Sequence, residues 1–192
     1  MITKKSNLPL VFVDIETTGS SAYHDRVLEV AAIRFESGRV TARINQLIDP
    51  GRPIPAFITG LTGIAEADIW QAPSFLALSD DFLKLMEGEA IFLAHNVWFD
   101  YRFLREEFRR LAIDFVPALA CTVKLSRHFY PHQPSHRLDA VIERHGITVT
   151  DRHRALGDAQ ALVDFYEILI AEHGDAIVRE ALQARRPMAY QR

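Results

Sequence analysis

L-V-F-V-D-I-E-T-T-G, running from Leu10 to Gly19, is the stretch whose reading decides the fold. Leu10 to Val13 are continuously apolar, which fits a buried strand. Asp14 and Glu16 follow at the strand's end. On an extended chain, residues i and i+2 point the same way, so both carboxylates can face one cation. Strand ends in α/β sheets are also where sites form. A cap on the turn Thr17-Thr18-Gly19 would explain Asp14. It leaves unexplained a second acid on the same face.

Working outward, Val27 to Phe35 is rich in β-branched and apolar residues. Ser37-Gly38 supplies a hairpin turn, and Val40 to Ile48 returns before Asp49-Pro50-Gly51 stops the strand. A three-stranded antiparallel unit therefore opens the chain. Pro53 to Ala67 reads as short helical turns. Ser74 to Met86 reads as a helix with Ser74 as its cap. Ala90 to Ala94 is another apolar strand, and Val97 to Leu111 an amphipathic helix. A short apolar segment, Ala118 to Val123, leads into a further helix. Leu138 to His145 ends at Gly146, a natural C-terminal stop. Arg154 to Ala171 is a long amphipathic helix, which Ala176 to Gln183 extends past Gly174. The order β-β-β-α-β-α-β-α-α predicts an α/β fold, with a mixed sheet covered by helices on both faces.

A chain of 192 residues suits one domain with an ample core, about 8–172. The basic, proline-containing end RRPMAYQR, within 184–192, reads as a frayed terminus or the start of a linker to a further domain. No apolar run approaches a membrane span, and MITKKSNLPLVFV lacks the apolar region of a secretory signal. A single cysteine, Cys121, excludes an internal disulfide and a cysteine-based zinc cluster. These features point to a reducing, cytoplasmic setting and no membrane partner. The net charge of −3 provides no global basic field. A nucleic-acid partner would need local arginines and bound cations.

Two further carboxylates stand out. At 3.6 residues per turn, Phe99, Phe103, Leu104, Phe108 and Leu111 form an apolar stripe. Asp100 falls inside it, and Arg102, Arg105 and Arg109 lie opposite. A buried carboxylate without a partner is costly. A metal ion would offset that cost; so would a salt bridge to arginine, the commoner solution. Asp158 lies at the edge of the arc Ala155, Leu156, Ala159, Leu162, Val163, Tyr166, Leu169 and Ile170. It sits near a helix N-terminus, where the dipole alone would justify an acid. His153, in the loop five residues earlier, strengthens a functional reading.

Four oxygen donors suit Mg²⁺ or Mn²⁺ better than zinc. Two such ions, about 3.5–4 Å apart, clamp the attacking and leaving oxygens of a phosphodiester. A histidine is the natural base for the attacking water. The other histidines, at 24, 95, 128, 132, 136, 145 and 173, read as surface or packing residues.

DIETTG at Asp14 to Gly19, AHNVWFD at Ala94 to Asp100 and HRALGD at His153 to Asp158 resemble, in order and separation, the three motifs of the DEDDh 3′–5′ exonucleases. That family includes the proofreading epsilon subunit of bacterial DNA polymerase III. The likeness runs from Leu10 to Ala171, and LIDPGRPIPAFITGLTGI, CTVKLSRHFYP and HRLDAVIERHGI share the family's style. The resemblance implies a ribonuclease H-like fold with a mixed five-stranded sheet. It implies Asp14, Glu16, Asp100 and Asp158 as ligands of two divalent cations, Mg²⁺ or Mn²⁺, with His153 as general base. Thr17, Thr18 and Gly19 match positions that hold the terminal nucleotide, largely through backbone groups. Leu61 and Thr62 match a wedge near the last base; His95, Asn96 and Phe99 match the nucleotide pocket. Cys121 departs from the aspartate of many relatives and reads as a buried small residue.

The implied activity is release of nucleoside 5′-monophosphates from single-stranded or mismatched DNA 3′ ends. Arg102, Arg105, Arg152 and Arg154 are candidates for phosphate contacts. An RNA exonuclease would use the same acids, because the 2′-hydroxyl is read by pocket details. A non-catalytic module that binds a polymerase or a nucleic-acid end would have no need of them.

Overall fold

The computed structural model describes residues 8–184. The 185–192 part of the tail read above as a frayed end or linker lies outside the described residues, as do residues 1–7. Five strands form one sheet: β1 (Leu10–Thr17), β2 (Val27–Glu36), β3 (Arg39–Leu47), β4 (Ile91–Ala94) and β5 (Ala118–Cys121). Their order is β3-β2-β1-β4-β5. β1 pairs antiparallel with β2 and parallel with β4; β2–β3 is antiparallel and β4–β5 parallel. The sheet is therefore mixed, as the element order predicts. Ser37 and Gly38, both at positive φ, make the β2–β3 hairpin turn.

The helices are α1 (Ala56–Thr62), α2 (Glu66–Ile69), α3 (Phe75–Leu85), α4 (Trp98–Arg110), α5 (Thr122–Phe129), α6 (Leu138–His145), α7 (Ala155–His173) and α8 (Asp175–Ala184). Two expectations need correction. α8 is a separate helix rather than an extension of α7, because Gly174 (φ 87°, ψ 144°) takes the chain out of helical geometry. Ser74 precedes α3 as its cap residue, but its side chain makes no capping bond; its carbonyl receives the Ala77 amide instead.

The alternation of β1 divides the interior into two cores. Val11, Val13 and Ile15 pack with Phe75 and Phe82 of α3 and Phe103 and Phe108 of α4. Leu10 and Phe12 face Leu162, Phe165, Tyr166 and Leu169 of α7 and Val178 of α8. Asp14 and Glu16 continue this second row. The apolar strand thus delivers its two acids to the side on which α7 begins. Cys121 is buried at the end of β5, as expected for a small packing residue. Among the described residues no helix is long and apolar enough to cross a membrane.

An ion pair between a buried glutamate and a half-buried arginine ties α4 to the start of β2. Arg26 donates to both Glu107 oxygens (2.7 and 2.9 Å), and the Val27 amide adds a third bond at 3.3 Å. Glu107 is 2% exposed and also has Arg110 at 3.1 Å. Removing one partner of a fully buried pair typically costs about 3–5 kcal/mol, and the partial exposure of Arg26 lowers that figure here. Because Arg110 remains, Arg26→Ala should fall below that range, at about 2 kcal/mol. Thermal unfolding of the variant checks this, and an unchanged midpoint would show that the pair contributes nothing.

Candidate active site

β1 outruns its neighbour. β4 pairs with it only from Leu10 to Phe12, so the strand projects beyond the ladder where Asp14 and Glu16 stand. α4 crosses beside this projecting end, and the Ile15 amide is hydrogen bonded to the Asp100 carboxylate. From the other side, α7 brings Asp158 in its first turn. Carboxylate oxygens of Asp14, Glu16 and Asp158 come within 4.8 Å of one another. Asp100 lies outside that tight group but close enough to repel Asp14 and Glu16. Residues far apart in sequence, on two helices and a strand, converge at one sheet end.

The charges are mutually unfavourable. Burial first, and then the repulsion of Asp100, raises the Asp14 carboxyl well above its ordinary range. Burial and the neighbouring Asp158 and Glu29 push Glu16 up to about 8. Burial also pushes Asp100 up to about 8, against two amide hydrogen bonds that favour its charged form. Asp158 is raised by burial, although Arg152 opposes the shift. An all-oxygen donor set that repels itself in this way fits a hard divalent cation. Among the described residues, no other group of acids, histidines and cysteine gathers at metal-ligand spacing.

His153 is half-buried in the turn before α7 and takes a left-handed conformation (φ 58°). Both neighbours are anchored. Arg152 is hydrogen bonded to Asp158 and reaches Asp139 of α6 at 2.5 Å. Arg154 makes a two-pronged contact with Glu29 of β2 at 2.8 and 3.1 Å. Two of the four arginines read as phosphate contacts are therefore held by carboxylates. Arg102 and Arg105 line an open groove on the outer face of α4 with Tyr23.

The residues matched to nucleotide binding divide by exposure. Thr17 and Thr18 are buried, and their hydroxyls bond within the β1–β2 connection, to the Gly19 carbonyl (2.6 Å) and the Arg26 amide (3.0 Å). At Gly19 an added Cβ would stand 2.3 Å from the Asp25 carboxylate, so the Asp25 side chain would have to move aside. The Thr62 hydroxyl bonds Ile58 and Ile64, so Leu61, 52% exposed, is the accessible member of that pair. Asn96 is exposed at positive φ, and Phe99 is half-buried against Phe103. His95 bonds Thr122 through Nδ1 (2.8 Å), and burial pushes its ring down to about 4, so it is neutral at physiological pH.

Sequence reasoning overlooked Glu29 and Gly157. Glu29 is 1% exposed, and an acid inside the apolar run VLEVAAI was a readable signal. Gly157 is required because a Cβ there would stand 2.3 Å from the Asp151 carbonyl. Gly157→Ala should force the 149–152 loop away from α7 at a cost of about 1–3 kcal/mol. Faster amide hydrogen exchange across residues 150–154 would report it; wild-type exchange would show that the close approach is unimportant.

Residues 11–166 match the RNase_T exonuclease family model. The chain is 37% identical over 152 residues to the PolC-type DNA polymerase III of Latilactobacillus sakei, covering 79% of this chain and 10% of that protein. The corresponding protein of Caldanaerobacter subterraneus is 32% identical over 156 residues, covering 81% of this chain and 11% of that one. The chain thus spans about a tenth of the length of these curated relatives. Among solved structures, Escherichia coli ExoI bound to single-stranded DNA superposes with a TM-score of 0.78 at 21% identity, covering 89% of this chain and 42% of that one. The nuclease domain of 3′hExo, a DEDDh family member bound to rAMP, gives 0.76 at 14% identity over 90% and 96%. These two likenesses establish a shared fold, the five-stranded sheet flanked by helices. Since the family match runs from the first core strand into α7, the chain belongs to the exonuclease family, whose members are phosphodiester hydrolases.

Proposed function

We propose that the protein is a 3′–5′ exonuclease that releases nucleoside 5′-monophosphates from single-stranded or mismatched DNA ends, in a proofreading or repair role. The observation that carries this reading is the convergence of Asp14, Glu16 and Asp158 within 4.8 Å, with Asp100 beside them, in a member of the exonuclease family. Asp14, Glu16, Asp100 and Asp158 would hold two divalent cations, Mg²⁺ or Mn²⁺. When bound, such ions activate a water and stabilise charge on the attacking and leaving oxygens.

The chain's own residues do the rest. The four carboxylates would hold those cations at the end of β1, and the positive charge there would draw in the scissile phosphate. His153, at the rim, accepts the proton of the attacking water on a ring nitrogen. Backbone groups of Thr17, Thr18 and Gly19 hold the terminal nucleotide, and Leu61 and Phe99 offer apolar surface to its base. An unpaired end costs less to thread than a paired one, which favours mismatched termini. The PolC-type relatives are large polymerases, so we place this unit beside a polymerase or within a longer protein.

Oligonucleotides labelled at one end test the polarity and the sugar. Single-stranded DNA labelled at its 5′ end should yield a descending ladder, and the same DNA labelled at its 3′ end an immediate mononucleotide. The opposite pattern would reverse the assigned direction. Faster shortening of RNA than of DNA would move the enzyme to the RNA exonucleases.

A further inference from the structure

We infer that Glu29 is a positioning residue that sets both Asp158 and His153 from outside the acid cluster. This inference rests on the roles proposed for those two residues. Glu29 sits on β2 directly across from Glu16 in the antiparallel ladder. Its side chain points into the α7 side of the sheet, 1% exposed, and is fully engaged. One oxygen accepts the Ala155 amide at 3.0 Å, the first N–H of α7. The same carboxylate takes both prongs of Arg154, the residue immediately after His153.

The geometry gives this contact two consequences. A helix N-terminus leaves amide donors without intrahelical partners, and an anion there also meets the favourable end of the helix dipole. Arg154, in the cap position, makes no side-chain cap, so a residue from the sheet does so in its place. Glu29 thereby fixes where the first turn of α7 begins, and Asp158 lies in that turn. The second consequence concerns His153. Its left-handed backbone is unfavourable for a residue with a Cβ and persists only when the surroundings over-determine it. The restraints are Arg154 on Glu29, Arg152 on Asp139 and Asp158, and the close approach of the Asp151 carbonyl to Gly157. Glu29 alone among them ties the turn to the sheet that also carries Asp14 and Glu16. Its cross-strand position makes the ligand-bearing strand and the His153 turn one rigid frame.

The test uses Glu29→Gln and Arg154→Ala in the full chain. Gln keeps an acceptor for the Ala155 amide but loses the charge that holds Arg154. Mn²⁺ binding is followed by electron paramagnetic resonance, and kcat and KM are followed on single-stranded DNA, below the unfolding midpoint of each variant. Loss of an outer partner of metal ligands typically weakens affinity or activity about 10–100-fold. Both variants should bind Mn²⁺ at least tenfold more weakly and show reduced kcat with little change in KM. Wild-type Mn²⁺ affinity and kcat in folded variants, with only a lowered unfolding midpoint, would reduce Glu29 to a stabilising residue and overturn the inference. A raised KM in Arg154→Ala with unchanged Mn²⁺ binding would also overturn it, because Arg154 would then be a substrate contact. Should the wild-type protein leave DNA and RNA intact, the proposed function fails, yet the Mn²⁺ arm still decides the role of Glu29.

Discussion

Asp100→Asn is expected to lower kcat by at least about 10²–10³-fold while leaving the protein folded. Loss of one preorganised electrostatic group in an active site costs about that much, and this change also removes an anionic donor from the cation site. The side chain is nearly isosteric, and the Ile15 amide retains an oxygen to bond. Phe103, Leu104 and Phe108 on the same helix keep their packing. The loss should therefore appear in activity rather than in unfolding. Circular dichroism and a single-turnover assay on single-stranded DNA check the two halves. An active Asp100→Asn enzyme would place the cations elsewhere.

The second large effect concerns pH and metal together. Glu16 and Asp100 have ordinary values of 4.5 and 3.8 and are both raised to about 8 in the fold. An acid with a raised folded value holds more protons folded than unfolded between those limits. The stability of the metal-free protein must then fall as pH rises from about 4 through about 8, with the loss complete above that range. In the proposed cation site, a divalent cation would replace the protons that the cluster otherwise retains. Adding Mg²⁺ or Mn²⁺ should raise the unfolding midpoint more at pH 8.5 than at pH 6. Melting curves at both values, with chelator and with metal, read the difference. Equal metal stabilisation at the two pH values would mean that the carboxylates are not the ligands.

Much of this site was legible because its residues break local rules. Asp14 and Glu16 end an apolar run, and Asp100 interrupts an apolar stripe; each is a charge placed where burial penalises it. Asp158 was weaker, since a first-turn aspartate suits any helix, and only the fold shows it 5% exposed against Glu16 and Asp14. The strands were readable from apolar and β-branched runs bounded by turn residues; the alternating burial of the edge strand β3 appears in the fold. What sequence could not supply was pairing across distance. Glu29 and Arg154 are 125 residues apart, and Arg26 and Glu107 are 81 apart. Nothing local shows that a basic residue beside His153 faces the sheet rather than a phosphate.

In the proposed function, the acid cluster at the end of β1 holds the cations on which cleavage of nucleic-acid ends depends. The most direct test strips wild-type protein and Asp14→Asn of metal, then incubates both with 5′-labelled single-stranded DNA while Mg²⁺ is added back. The wild type should be inert with chelator and should shorten the strand stepwise once Mg²⁺ returns, whereas Asp14→Asn should leave it at full length throughout. Equal shortening by both proteins, or shortening by the wild type in excess chelator, would contradict the account.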